Sequence, residues 1–158
     1  MPPSRVILIA GLVAGALDIT AACVVSWLRA GVSPVRVFQS VASGLLGVAS
    51  YDGGTGTAAL GLALHFVIAT TWAAVFYYAS RTLRFLVEQP VPTGLLYGVI
   101  VYLFMNFVVL PLSAFPMRPV TLSGRVIGLL VIMFCIGLPI ALIVSRSARP
   151  VSVSAPGR

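Results

Sequence analysis

Long apolar runs, broken by almost no charge, recur four times in this chain and constrain it more than any other feature, at about residues 6–28, 58–80, 94–115 and 122–145. A helix needs about 20 such residues to cross the hydrocarbon core of a bilayer. In lipid the backbone must satisfy its own hydrogen bonds, so a run of that length reads as a transmembrane helix. Apolar residues make up 59% of the chain and charged residues 8%, against about 25% charged in a soluble domain. So few ionic side chains cannot cover a water-facing surface. The expected fold is all-α: one polytopic transmembrane helical bundle over residues 1–145, with 146–158 as a disordered basic tail rich in Arg, Ser and Pro.

The first run contains Thr20-Ala21-Ala22-Cys23, which has some likeness to a lipoprotein cleavage site. Asp18 interrupts the apolar stretch, and the run continues past Cys23 to Leu28, so an uncleaved first span is expected. The segment 34–51 is less apolar. Ser33 suits an N-cap and Pro34 a first helical position, so a helix is expected there. Arg36, Gln39, Ser40 and Ser43 form its polar set, with Val37, Val41, Leu45 and Val48 on another side. Four spans plus this shallow or re-entrant helix is the favoured arrangement, with the polar set as a wet face; five spans is the alternative. Asp52-Gly53-Gly54-Thr55-Gly56 then reads as a tight turn into the next helix, since no Lys follows it to make a phosphate-binding loop.

With four spans, both termini lie on one side. That side carries Arg5, Arg81, Arg84, Arg146, Arg149 and Arg158, and the other carries Arg29, Arg36, Arg118 and Arg125. The excess places the C-terminal tail in the cytoplasm by the positive-inside rule. The net charge of +7 comes from Arg at the ends of apolar runs, with no basic domain, so no nucleic acid is expected as partner. Cys23 and Cys135 sit inside apolar runs as small packing residues. No enzyme is expected: nucleophile elbow, HExxH and nucleotide fingerprint are all missing, and Asp18, Asp52 and Glu88 are the only carboxylates on side chains.

Asp18, His65 and Asn106 each lie near the middle of a span, so their depths are similar. Asp18 shares a stripe with Gly11, Ala14 and Ala22; His65 with Ala58, Gly61, Ala69 and Trp72; Asn106 with Gly98, Tyr102 and Ser113. Small or polar faces point into a bundle. An isolated charge at that depth costs at least about 2.5–3.5 kcal/mol, which Asp18 avoids by taking up a proton or by pairing with His65 or an Arg. A midplane cluster of Asp18, His65, Asn106 and Tyr102 is therefore expected, either as interhelical glue or as a proton or ion relay. Helix packing is expected at Gly11, Gly15, Gly61, Gly94, Gly98, Gly124 and Gly128, most of them at small-xxx-small spacing. Neither metal nor cofactor is expected, because one His and one Asp make a thin site where zinc takes roughly three or four protein ligands.

Gly11-Leu-Val-Ala-Gly15-Ala-Leu-Asp18, Gly44-Leu-Leu-Gly47, Gly53-Gly54, Ala58-Ala-Leu-Gly61-Leu-Ala-Leu-His65-Phe66 and Tyr97-Gly98 resemble the YagU-like group of small bacterial inner-membrane proteins, a family of unknown function. The resemblance covers roughly residues 6 to 115. It implies a compact bundle in the bacterial inner membrane, and it supplies no substrate. Two functions remain open on the residues alone. One is a small oligomeric transporter or channel for protons, ions or small solutes. The other is a non-catalytic accessory or assembly subunit of a larger membrane complex. Expected partners are the lipid bilayer and further copies or subunits.

Overall fold

The computed structural model describes residues 1–117 and 119–148. Among the described residues the chain is helical and has no strand. Helix α1 covers Pro3–Ala30, α2 Pro34–Leu46, α3 Gly54–Thr82, the one-turn α4 Phe85–Glu88, α5 Pro90–Leu112 and α6 Leu122–Ala148. A 3₁₀ stretch, Gly47–Tyr51, follows α2. Helices α1, α3, α5 and α6 are each long and apolar enough to cross a membrane. Many of their large apolar side chains point outward, including Leu8, Leu12, Val67, Ile100, Phe107 and Phe134. That surface suits lipid, not water.

The helix ends run past their expected bounds for local reasons. Prolines at the first turn let α1 begin at Pro3 and α5 at Pro90, because the missing N–H is unpaired there anyway. Helix α1 stops at Gly31, whose φ of 63° no side-chain-bearing residue adopts readily. The Gly31 and Val32 N–H groups then donate back to the Trp27 and Ser26 carbonyls. Thr121 caps α6, accepting from the Gly124 N–H at 3.2 Å. Arg146, Ser147 and Ala148, expected in the tail, continue α6. The remainder of that tail, 149–158, lies outside the described residues, as does Arg118.

Two proline-driven irregularities follow. Pro111 and Pro139 have no N–H for the carbonyls four residues earlier, on Phe107 and Cys135. Both carbonyls fall in the middle of π-helical turns, Met105–Val109 and Met133–Gly137. The wider turn accommodates a proline that an α-turn would clash with, and it is the form the expected kink at Pro139 takes.

Glycine sets the helix crossings. A Cβ on Gly11 would fall 2.5 Å from Thr70 Cα, and one on Gly15 2.9 Å from the Phe66 ring. Helices α1 and α3 therefore touch along the stripe the sequence predicted. Gly94 and Gly98 do the same for α5, but their counterpart on α6 is Gly137, with Met133 Cα 2.5 Å from a Cβ on Gly98. Gly124 and Gly128 do not make this crossing. A Cβ on Gly124 would meet only Val120 and Thr121 beside it, and one on Gly128 would rest at 3.5 Å from the Tyr102 ring. The closest approach of α6 to α5 is at Gly137, at the end of the π turn, a glycine that spacing along an ideal helix did not single out.

Helix α2, with 13 residues, is too short to cross a bilayer. It leaves the end of α1, lies over α3 and returns to the start of α3 on the same side. Its backbone seats on Gly61, where any Cβ would overlap the Phe38 carbonyl oxygen. Gly61 is seven residues into α3, which is about 10 Å below its first turn. Gln39 Nε2 donates to the Gly54 carbonyl at 3.0 Å, and the Ala114 N–H donates to the Gly44 carbonyl at 2.9 Å. The expected wet face is corrected by this docking. Gln39 and Ser43 are 3% and 0% exposed, whereas Leu45 and Val48 are 64% and 66% exposed. The helix turns Gln39 and Ser43 toward the bundle together with Val37 and Ala42, and leaves Arg36, Val35, Leu45 and Leu46 outward, so its inner face mixes polar and apolar side chains.

Toward the termini the bundle closes on Val6, Ala10, Ala14, Ala69, Ala73, Phe76, Tyr97, Val101, Ile136, Ile140, Ala141 and Val144. Tyr97 packs edge-on to Phe76 and donates its hydroxyl proton to the Trp72 carbonyl at 2.6 Å.

Candidate functional site

The close α1–α3 crossing brings Asp18 and His65 together. Asp18 lies 12 residues before the end of α1 and His65 11 residues after the start of α3. In antiparallel neighbours, at about 1.5 Å per residue, those positions share one depth. His65 Nε2 is 2.9 Å from the Gly15 carbonyl oxygen and 4.0 Å from Asp18 Oδ2. A carbonyl only accepts, so in the neutral ring the proton sits on Nε2 and points at Gly15. The missing side chain at Gly15 is what lets the imidazole reach the backbone there.

Asp18 is left without a donor. The separation of 4.0 Å is too long for a hydrogen bond. Among the described residues no N–H or O–H reaches its carboxylate. The Asp18 and His65 side chains are 18% and 12% exposed, so neither faces open solvent. Asp18 is partly buried, and where a donor could stand it borders open space.

That space is a central chamber of about 280 Å³ bordered by α1, α2, α3, α5 and α6. Asp18, His65, Ser40 and Ser113 are its polar residues; Val41, Ile68, Trp72, Met105, Leu110 and Ile132 supply apolar wall. Helix α2 and the Ser113–Phe115 segment roof it, joined by the Ala114–Gly44 hydrogen bond. Asp18 also lines a groove of about 260 Å³ between α1 and α6. The Arg29 guanidinium, at that groove, donates to Ser123 Oγ at 3.0 Å. A third hollow of about 760 Å³ lies between the end of α1, α2 and the 3₁₀ stretch, with Arg36 stacked over the Tyr51 ring at 5.2 Å. Ser40 borders both this hollow and the chamber, and Ser26 borders both the hollow and the groove. Asp18 thus borders two of the three, the chamber and the groove.

The expected polar residues divide. Asp18 and His65 meet. Asn106 and Tyr102 do not join them: Asn106 Nδ2 donates to the Tyr102 backbone carbonyl at 2.9 Å, and neither side chain lines the chamber. The π turn that begins at Met105 puts Met105 and Val109 on the chamber wall. Of the α2 set, only Ser40 borders the chamber; Gln39 and Ser43 bind the helix to its neighbours and to itself. Ser113, Met105 and the roof at Gly44 were not singled out as site residues. Trp72 was visible in outline, since it is seven residues beyond His65 on the same stripe. Among the described residues no group of three or more His, Cys, Asp or Glu is placed to hold a metal ion. No known protein family, no curated protein and no solved structure matches the chain.

Proposed function

We propose that the chain is a small membrane transporter or channel for protons, ions or small solutes, with Asp18 binding the moving species and His65 beside it. The observation that carries this reading is the Asp18 carboxylate, partly buried at mid-helix, without a hydrogen-bond donor among the described residues, and open to two hollows. An ionisable residue inside a bundle is expensive to keep and is a functional candidate for that reason. Support also comes from placement: both hollows that Asp18 borders lie on the α2 side of the packed core, while a separate hollow of about 520 Å³ beside Arg81, Arg84 and Glu88 lies at the terminal end. The bacterial inner membrane, the cytoplasmic placement of the termini and an oligomeric working form belong to the same proposal. They rest on the Arg distribution, the YagU-like resemblance and the small number of helices in one copy.

The test is proton and ion flux into liposomes containing the purified protein. Wild type should conduct, and Asp18→Asn should abolish flux while leaving the thermal unfolding midpoint within a few degrees. Equal flux from both proteins would remove Asp18 from the pathway.

A second reading is an accessory subunit of a larger membrane complex. It is favoured by the packed core around Phe76 and Ile140, which lies on the terminal side of the chamber. Gentle extraction and native mass measurement separate the two readings. A stoichiometric complex with other chains supports the accessory role; a homo-oligomer supports transport.

A further inference from the structure

Of the residues bordering the central chamber, Asp18 carries the only carboxylate, and no Arg borders it. The remaining polar groups are His65, whose Nε2 proton is committed to Gly15, the Trp72 indole N–H and two hydroxyls. Ser40 Oγ donates to the Val37 carbonyl and Ser113 Oγ to the Leu110 carbonyl, so both retain acceptor capacity but no free proton. The chamber therefore offers acceptors, one carboxylate and a single uncommitted donor, the Trp72 indole N–H. An anionic guest would have to face the Asp18 carboxylate with that one donor to set against it. A bare inorganic cation finds too few oxygens, since hard cations take roughly six to eight at close range, and apolar wall makes up most of the rest. What matches is a guest that is mostly apolar and carries one cationic donor. Trp72 adds a ring on the wall, and aromatic faces attract ammonium groups. The volume of about 280 Å³ falls just under the range of about 300–1,000 Å³ that holds drug-sized ligands, which favours a small guest.

We propose that the chamber binds a small hydrophobic amine, its ammonium paired with the Asp18 carboxylate and its apolar body against Val41, Ile68, Trp72 and Ile132. This names the substrate class for the transport reading of Asp18 and rests on it. The ammonium supplies the donors that Asp18 lacks, so the guest satisfies the carboxylate and is discriminated by it. A site built around an unpaired polar group rejects an analogue that cannot complete the pair.

The experiment is titration calorimetry on the purified full-length protein in detergent with three probes of similar shape: 2-phenylethylamine, 2-phenylethanol and phenylacetate. The amine should bind saturably and at least about tenfold more tightly than the alcohol, and phenylacetate should bind worst. Asp18→Asn should bring the amine down to the level of the alcohol. A second variant, Gly44→Leu, guards against a folding defect in the first. A Cβ at Gly44 has only ordinary contact with Ser113, at 3.9 Å, so a larger side chain there can enter the chamber from its roof. It should remove binding of amine and alcohol alike. Equal affinities for amine and alcohol, tightest binding of phenylacetate, no saturable binding, or amine binding unchanged in both variants would each overturn the proposal. Loss of the transport reading has a different signature. Amine binding that requires Asp18, in a protein without flux, would leave a binding site and no carrier; flux that requires Asp18, without amine binding, would leave a carrier for another substrate.

Discussion

The two halves of the bundle are built from the same helices and packed differently. Toward the termini, α1, α3, α5 and α6 interlock around Phe76, Tyr97, Ile140 and Val144, and the hollow on that side, about 520 Å³ beside Arg81, Arg84 and Glu88, lies at the helix ends. Toward α2 the same helices enclose hollows, and a short helix fills the opening between them instead of a fifth span. In lipid no hydrophobic gain drives helices together, so close van der Waals contact is the main source of cohesion. The packed half holds the fold, and the slack half is where a guest fits. Asp18 and His65 stand at the boundary, held by the rigid half and open to the other.

The largest expected effect comes from unseating α2. Gly61→Val would drive a side chain into the Phe38 carbonyl. It should cost more than about 3 kcal/mol, beyond the usual overpacking penalty because backbone cannot step aside as a side chain can. Denaturant titration in detergent measures it. A stable Gly61→Val protein would mean that α2 is an optional cover and not part of the fold.

A matched pair sharpens the contrast directly. Ile140 is fully buried in the packed half, and Ile68 lines the chamber. Ile140→Ala should cost about 4 kcal/mol and Ile68→Ala about 2, because the cost of truncation rises with the void left and Ile68 already borders one. Equal losses in unfolding experiments would show that the two halves are packed alike after all.

Smaller effects come from single polar groups. Tyr97→Phe removes the hydrogen bond to the Trp72 carbonyl and should cost about 0.6–1.7 kcal/mol, the span measured for such bonds between membrane helices. Ser50 is the smallest case. Its Oγ is buried without a partner among the described residues, so Ser50→Ala should be neutral or stabilise by up to about 1 kcal/mol. A clear loss of stability would reveal a hydrogen bond at Ser50 that the fold does not display.

Much of the fold is legible in order along the chain. The four spans, the non-crossing segment and the Ser33 cap follow from run length, polarity and local turn chemistry. The Gly11/Gly15 and Gly94/Gly98 faces follow from spacing on an ideal helix. The pairing of Asp18 with His65 was legible too, because antiparallel helices of similar length put their centres at one depth. Legibility fails where the helix is not ideal. The π turn beginning at Met105 puts Met105 and Val109 on the chamber wall and leaves Asn106 off it, and the one ending at Gly137 makes that residue the close contact for Gly98. Polarity misleads for α2, because a polar stripe reads as wet until the neighbour that buries it is known.

What this sequence determined by itself is the solvent it folds in. Its composition and run lengths demand helices that satisfy their own backbone, and its prolines and glycines say where those helices begin, bend and approach. What only the tertiary structure decided is which faces meet. The π turns add an extra residue per turn, which rotates every later side chain on α5 and α6. The seat at Gly61 turns Gln39 and Ser43 of α2 inward. The chamber beside Asp18 exists because five helices leave space there together, and no single helix carries the record of a gap.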